Sequence, residues 1–173
     1  MLLDPKTRAF YEARGWDLAE WLDLGIGFDN AVMDGIPGVT FAFHLCRGNQ
    51  GSRWLAEGGY DPIAEAVFQG IHAERLMLEY DDERSGTFDP LVHVPDDKTV
   101  VLGLVTTKRG ALEDADDLAR RIDEAARVVP LERLALSPQC GFATSVGGNN
   151  LTIDEQRRKL ERMVETARRV WGD

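Results

Sequence analysis

The chain has 173 residues, 43% hydrophobic and 29% charged, the balance of one soluble globular domain with room for a core. Its formal net charge of −10 argues against nucleic acid and anionic membrane surfaces as partners. No apolar run reaches the ~20 residues that span a bilayer, and Met1-Leu2-Leu3-Asp4-Pro5-Lys6 lacks a secretion-signal pattern, so the expected location is the cytoplasm.

In chain order, Asp4 and Pro5 predict a short helix, an acceptor cap followed by a residue whose fixed φ suits the first turn. A second helix is expected after Asp17, with Leu18, Trp21 and Leu22 on one face, running to Gly35. Residues 39–45, rich in β-branched and aromatic side chains, predict a first strand, and Gly48-Asn49 beyond it signals a turn. After a glycine-rich loop, Asp61-Pro62 predicts the cap of a helix that ends at Gly70. Residues 75–79 read as a second strand and 99–105 as a third, the latter apolar enough to be covered on both faces of a parallel sheet. A helix is expected over 112–128, with Glu113 and Asp114 in its first turn and Arg127 near its end. A fourth strand follows at 133–137. Thr152 and Glu155 form a capping box for a last helix, whose stripe of Leu160, Met163, Val164, Ala167, Val170 and Trp171 predicts core packing.

Strands alternating with helices predict an α/β fold, a parallel sheet with right-handed crossovers, and active residues at the C-terminal strand ends. The chemically notable residues fall there. His44 and Cys46, two apart and therefore on one side of the backbone, close the first strand. Glu79 closes the second, Thr106, Thr107 and Lys108 the third, and Gln139 and Cys140 the fourth. One histidine with two cysteines is the ligand set of a zinc site that keeps a position open for chemistry. A Cys46–Cys140 disulfide is the alternative, but a cytosolic setting favours a metal or catalytic role. The acidic run Asp81-Asp82-Glu83 lacks calcium-loop spacing and reads as a solvated loop. His72 and His93 read as surface residues, and Gly147-Gly148-Asn149-Asn150 as a turn.

Four stretches together, His44-Leu45-Cys46-Arg47-Gly48-Asn49, Leu78-Glu79-Tyr80-Asp81-Asp82-Glu83-Arg84-Ser85-Gly86, Val101-Leu102-Gly103-Leu104-Val105-Thr106-Thr107-Lys108 and Leu136-Ser137-Pro138-Gln139-Cys140-Gly141-Phe142, carry a resemblance over nearly the whole chain. The chain resembles the C-terminal catalytic half of the cobalamin-independent methionine synthases, and most of all their short, single-barrel relatives. The resemblance implies one partial domain over 1–173, the C-terminal half of a TIM (βα)8 barrel, with a zinc ion held by His44, Cys46, Glu79 and Cys140. It implies methyl transfer from 5-methyltetrahydrofolate to the zinc-bound thiol of homocysteine, giving methionine, with Arg84 and Ser85 positioning a substrate group.

Two departures bear on this expectation. The family's Gln-[Ile/Leu]-Asp-Glu-Pro motif does not occur in these 173 residues, and no residue stands out as the acid that protonates the leaving amine. Four residues separate Glu79 from Arg84, more than in the family pattern, so Glu83 competes with Glu79 as the carboxylate ligand. Other readings are zinc-dependent alkylation of another thiol, as in epoxyalkane–coenzyme M transfer, a zinc hydrolase, and a non-catalytic zinc-binding half-barrel subunit. Two thiolates count against the hydrolase. Four βα units leave two open edges, so a homodimer or a partner chain that completes the barrel is expected.

Overall fold

The computed structural model describes residues 4–172; residues 1–3, part of the stretch read above for a secretion signal, lie outside them. Two helices, α1 (Pro5–Glu12) and α2 (Leu18–Met33), precede strand β1 (Ala42–Leu45). A hairpin of β2 (Asn49–Gln50) and β3 (Arg53–Trp54) follows, then α3 (Ala64–Gly70), β4 (Arg75–Glu79), β5 (Thr99–Val105), α4 (Ala115–Ala125), β6 (Leu134–Pro138) and α5 (Ile153–Trp171). Short 3-10 turns occupy Glu83–Ser85, Asp89–His93 and Leu131–Arg133. β1, β4, β5 and β6 form one wholly parallel sheet in that order, so β1 and β6 are its edges among the described residues.

The expected caps form at most helix starts. The Asp4 carboxylate accepts the Thr7 N–H at 2.9 Å and Asp17 accepts the Glu20 N–H at 3.0 Å. The capping box at Thr152 and Glu155 is complete. Asp61 does not cap α3. The buried Tyr60 supplies the entry instead, its carbonyl accepting the N–H groups of both Ile63 and Ala64, and the helix begins at Ala64. α4 is shorter than its pattern: Asp114 is the cap, bonding the N–H groups of Asp116 and Asp117, while Glu113 is drawn away to Lys159 and to the Thr106 N–H. The first strand starts at Ala42 rather than 39, because ladder pairing with β4 begins at Arg75.

The α5 stripe is only partly core. Met163, Val170 and Trp171 pack inward, but Leu160 and Val164 are 41% and 50% exposed. The buried face includes Lys159, whose ammonium reaches the Glu113 carboxylate at 2.8 Å and the Ala111 carbonyl at 2.6 Å. A paired charge can therefore occupy a position that apolar periodicity leaves blank. The expected glycine-rich loop contains the β2–β3 hairpin; its two turn residues, Gly51 and Ser52, have φ of 55° and 67°, as a tight two-residue hairpin requires.

Strand register sorts the sheet into two faces. Phe43 and Leu45, Leu76 and Leu78, Val100 and Leu102, and Leu134 and Leu136 share the face that the helices cover. Ala42 and His44, Met77 and Glu79, Val101 and Gly103, and Ala135 and Ser137 share the other. Gly103 is needed there: a Cβ would lie 2.8 Å from the Leu78 carbonyl oxygen and 2.9 Å from the Gln139 Cα. The missing side chain lets the ends of β4, β5 and β6 converge. No helix among the described residues is long and apolar enough to cross a membrane.

Two tyrosines complete the core behind the strand ends. Tyr60 and Tyr80 are fully buried, with ring centroids 5.4 Å apart. Burial pushes the Tyr60 hydroxyl up to about 12 and raises Tyr80 as well. The folded chain thus holds phenolic protons that the unfolded chain releases near pH 10, so this contribution is intact below that pH and is lost as pH rises through about 12. We expect denaturant midpoints to fall above about pH 10, Tyr60 alone accounting for about 2–3 kcal/mol; a midpoint unchanged to about pH 12 would contradict the assignment.

Candidate metal centre

The C-terminal ends of three of the four parallel strands bring four metal-ligating side chains together. His44 lies on β1, Cys46 one residue past its end, Glu79 at the last position of β4, and Cys140 two residues beyond β6. One ligand atom from each lies within 4.8 Å of every other. The Cys46 and Cys140 sulfurs are 3.9 Å apart, and His44 Nε2 is 3.8 Å from Glu79 Oε1. Around a tetrahedral zinc, the usual bond lengths put two sulfurs about 3.8 Å apart and nitrogen and oxygen about 3.3 Å apart. The sulfur pair already matches that spacing, and the His–Glu pair reaches it with a contraction of about half an ångström. Glu83, the competing carboxylate, lies in the 3-10 turn outside this group.

The charge of Glu79 controls the surroundings. Its side chain is fully buried, and burial raises its pKa. Donors offset that cost on both oxygens. Oε2 accepts the Arg47 backbone N–H at 3.0 Å and lies 3.5 Å from Arg84 Nη2, while Oε1 accepts Gln139 Nε2 at 3.1 Å. The Arg47 side chain is fully buried and laces the same region: Nε donates to the Gly58 carbonyl, Nη1 to the Tyr60 hydroxyl and to the Glu79 carbonyl at 2.8 Å. The Tyr60 hydroxyl accepts the Glu79 N–H at 2.8 Å and donates to the Leu45 carbonyl at 3.2 Å. One phenol thereby ties the end of β1 to the end of β4.

The two thiols are in hydrogen-bond contact, and their affinities for a proton are driven apart. Cys46 is held down to about 3 by hydrogen bonds from Cys140, from His44 and from the Gly48 N–H. Cys140 is raised, first by its bond to Cys46 and then by burial. His44 is raised too, chiefly through its hydrogen bond to Cys46. A thiolate beside an imidazole and a carboxylate is a concentrated negative site open on one side, the electrostatic character a divalent cation needs.

Arg84 and Ser85, expected to position a substrate, are both buried. Arg84 lies between Glu79, Asp81 and Asp82, with Nε 3.2 Å from Asp82, and its guanidinium sits over the Trp54 ring at 5.3 Å. These are ion-pair contacts without directed hydrogen bonds from Nε or Nη2. Lys108 closes the acidic run, donating to Asp81 at 2.6 Å and to Asp82 at 2.8 Å, so Asp81 and Asp82 are ion-paired, and the Asp81 side chain is buried rather than solvated as expected. Trp54, Asp82, Arg84, Thr106, Lys108 and Arg109 line a cleft of about 550 Å³, joined to the candidate ligand cluster through the contact of Arg84 with Glu79. The Ser85 hydroxyl is buried without a partner, and its carbonyl accepts from Arg47. His72 is exposed and pairs with Asp34, and Asn149 of the expected turn donates to the Thr107 carbonyl.

The sequence assigns no role to Arg47 or Tyr60, and marks Gln139 only by its place at the end of the fourth strand. The signal available for Arg47 was its place directly after Cys46; a buried arginine is otherwise indistinguishable from a surface one.

Comparison with known proteins places this architecture. The family model described as "Cobalamin-independent synthase, Catalytic domain" matches residues 62–169. The Bacillus subtilis proteins YxjG and YxjH, both described as uncharacterized, are 52% and 50% identical over 144 residues, covering 83% of this chain and 38% of theirs. A 5-methyltetrahydropteroyltriglutamate–homocysteine methyltransferase of Mycobacterium tuberculosis is 27% identical over 168 residues, 96% of this chain and 20% of that one. The chain thus spans well under half the length of these relatives. Among solved structures, a vitamin-B12-independent methionine synthase assignment from Listeria monocytogenes superposes with a TM-score of 0.69 at 32% identity, over 92% of this chain and 44% of that one. A B12-independent methionine synthase from Shewanella sp. W3-18-1, at 20% identity and the same TM-score of 0.69, shares the fold over 86% of this chain and 43% of its own. Four parallel strands flanked by helices are the half-barrel of these neighbours, and the chain belongs to the cobalamin-independent synthase catalytic-domain family.

Proposed function

We propose that the chain carries the zinc-dependent thiol-methylating centre of a methionine synthase-like enzyme, with His44, Cys46, Glu79 and Cys140 as ligands. The convergence of two thiols, an imidazole and a buried carboxylate within 4.8 Å carries this reading. Zinc held there would supply a Lewis acid that ionises a substrate thiol, whose ordinary pKa of about 8.5 leaves it mostly protonated at neutral pH. The proposed acceptor is homocysteine and the proposed donor 5-methyltetrahydrofolate, giving methionine.

The chain's own residues supply the rest. Cys46 and Cys140 contribute soft donors and negative charge, which keeps a neighbouring sulfur nucleophilic. Arg47 and Tyr60 hold the strand ends at fixed separation. Arg84, with Nε and Nη2 lacking directed hydrogen bonds, is assigned together with Ser85 to substrate positioning at the cleft that Arg84 lines.

The half-barrel further requires completion. Both sheet edges are open, His44 faces the side the helices leave bare, and Leu24, Phe28 and Val32 on α2 are 54%, 65% and 72% exposed at helical spacing. We propose that further βα units beyond these 173 residues, such as those of a second copy or a partner segment, close the barrel over the site.

Purified protein should bind about one zinc per chain, and Cys140→Ser or His44→Ala should lose most of it; elemental analysis finding full zinc in both variants would remove the site. Homocysteine added to zinc-loaded protein should release about one proton near neutral pH, read with an indicator dye, and no release with any thiol would exclude alkyl transfer. The 173-residue polypeptide should behave in light scattering as a dimer or larger and methylate homocysteine feebly by itself. A folded 19.3 kDa monomer with ordinary enzyme rates would refute the need for completion.

A further inference from the structure

Gln139 stands next to Cys140 yet points away from solvent, and its contacts are unusually constrained. Its side-chain Oε1 accepts the Thr107 backbone N–H at 3.2 Å and the Thr107 hydroxyl at 2.9 Å, while Nε2 donates to Glu79 Oε1 at 3.1 Å. A backbone N–H can only donate, so the amide has one permitted orientation: oxygen to Thr107, nitrogen to Glu79. The Thr107 hydroxyl, having given its proton to Gln139, accepts Asn49 Nδ2 at 3.3 Å. Hydrogen bonds therefore run one way, from Asn49 through Thr107 and Gln139 to Glu79, and all four residues are buried. The row crosses from the start of β2 to the ends of β5, β6 and β4.

Backbone geometry puts Gln139 there. The β5–β6 ladder shifts register between Gly103 and Val105, and the Gln139 N–H bonds the Val105 carbonyl at 2.8 Å. An irregularity of this kind re-aims the residues beyond it. The bare Cα of Gly103 admits the Gln139 backbone, because a Cβ would meet its Cα at 2.9 Å.

We propose that Gln139 is a positioning residue that fixes how Glu79 presents its carboxylate to a metal. Glu79 Oε1 is the oxygen that faces His44 Nε2, and it has two lone pairs; Gln139 engages one and leaves the other for the ion. Arg47 and Arg84 hold the second oxygen, so without Gln139 the carboxylate keeps one anchored oxygen and a free rotation of the other. Glutamate at 139 would set two acceptors face to face, which explains an amide rather than an acid at this position. The inference rests on the four-ligand reading above and adds a residue outside that set.

The test uses Gln139→Met, which keeps volume and removes all three side-chain hydrogen bonds, with Thr107→Val and Thr107→Ser as a second pair. Zinc affinity is read by chelator competition, the ligand field by the visible spectrum of the cobalt(II)-loaded protein, and folding by thermal melting. Gln139→Met should bind zinc about 10- to 100-fold more weakly with an altered cobalt spectrum. Thr107→Val should move both readouts the same way by less, and Thr107→Ser, which keeps the hydroxyl, should restore them. Wild-type affinity and an unchanged cobalt spectrum in Gln139→Met would overturn the proposal while leaving the metal site intact. If Gln139→Met does not fold, Thr107→Val and Thr107→Ser indistinguishable from each other would overturn it. Failure of the unmodified protein to take up either metal would instead remove the site reading, and this inference with it.

Discussion

The arrangement depends on one buried carboxylate. Glu79 ends β4 with no access to solvent, and an unpaired ion in that position would cost several kcal/mol. The chain answers with donors from three directions: the Arg47 N–H beyond β1, Arg84 from the turn after β4, and Gln139 beyond β6. Each of those segments also carries or adjoins a residue of the cluster. Satisfying Glu79 therefore assembles His44, Cys46 and Cys140 around it. The converse holds too: a sheet whose ends had splayed would leave both the carboxylate and the Arg47 guanidinium without partners.

Close approach of the strand ends is what makes this possible, and it falls to small and irregular elements. Gly103 removes the one side chain that would hold β6 away from β4. The register shift beside it turns Gln139 inward and leaves Cys140 at the mouth. The Tyr60 hydroxyl bridges β1 and β4 through two hydrogen bonds. The apolar ladder of Leu78, Leu102 and Leu136 beneath supplies the cohesion, whereas these few polar contacts supply the geometry.

Much of this was legible in the sequence, for identifiable reasons. β4 and β5 were bounded correctly because each is an apolar run set off by charge, and the alternation of strands and helices implied the parallel order. His44, Cys46, Glu79 and Cys140 were visible because each sits at a strand end, where such residues gather in parallel βα folds. What escaped was tertiary. Asp61 was read as a cap because it precedes proline, but the carbonyl of buried Tyr60 took that role. The α5 stripe misassigned Leu160 and Val164, because the true buried face includes Lys159 neutralised by Glu113 from another loop. Arg47, Gln139 and the Gly51-Ser52 hairpin depend on partners distant in the chain or on positive backbone angles, neither of which hydrophobic periodicity reports.

The central claim is that four residues from three strand ends form one mixed sulfur, nitrogen and oxygen coordination site. Zinc-edge X-ray absorption of the metal-loaded protein tests it most directly. The account predicts a first shell of two sulfur scatterers near 2.3 Å and two lighter atoms near 2.0–2.1 Å. A shell of nitrogen and oxygen alone, with no sulfur, would contradict it.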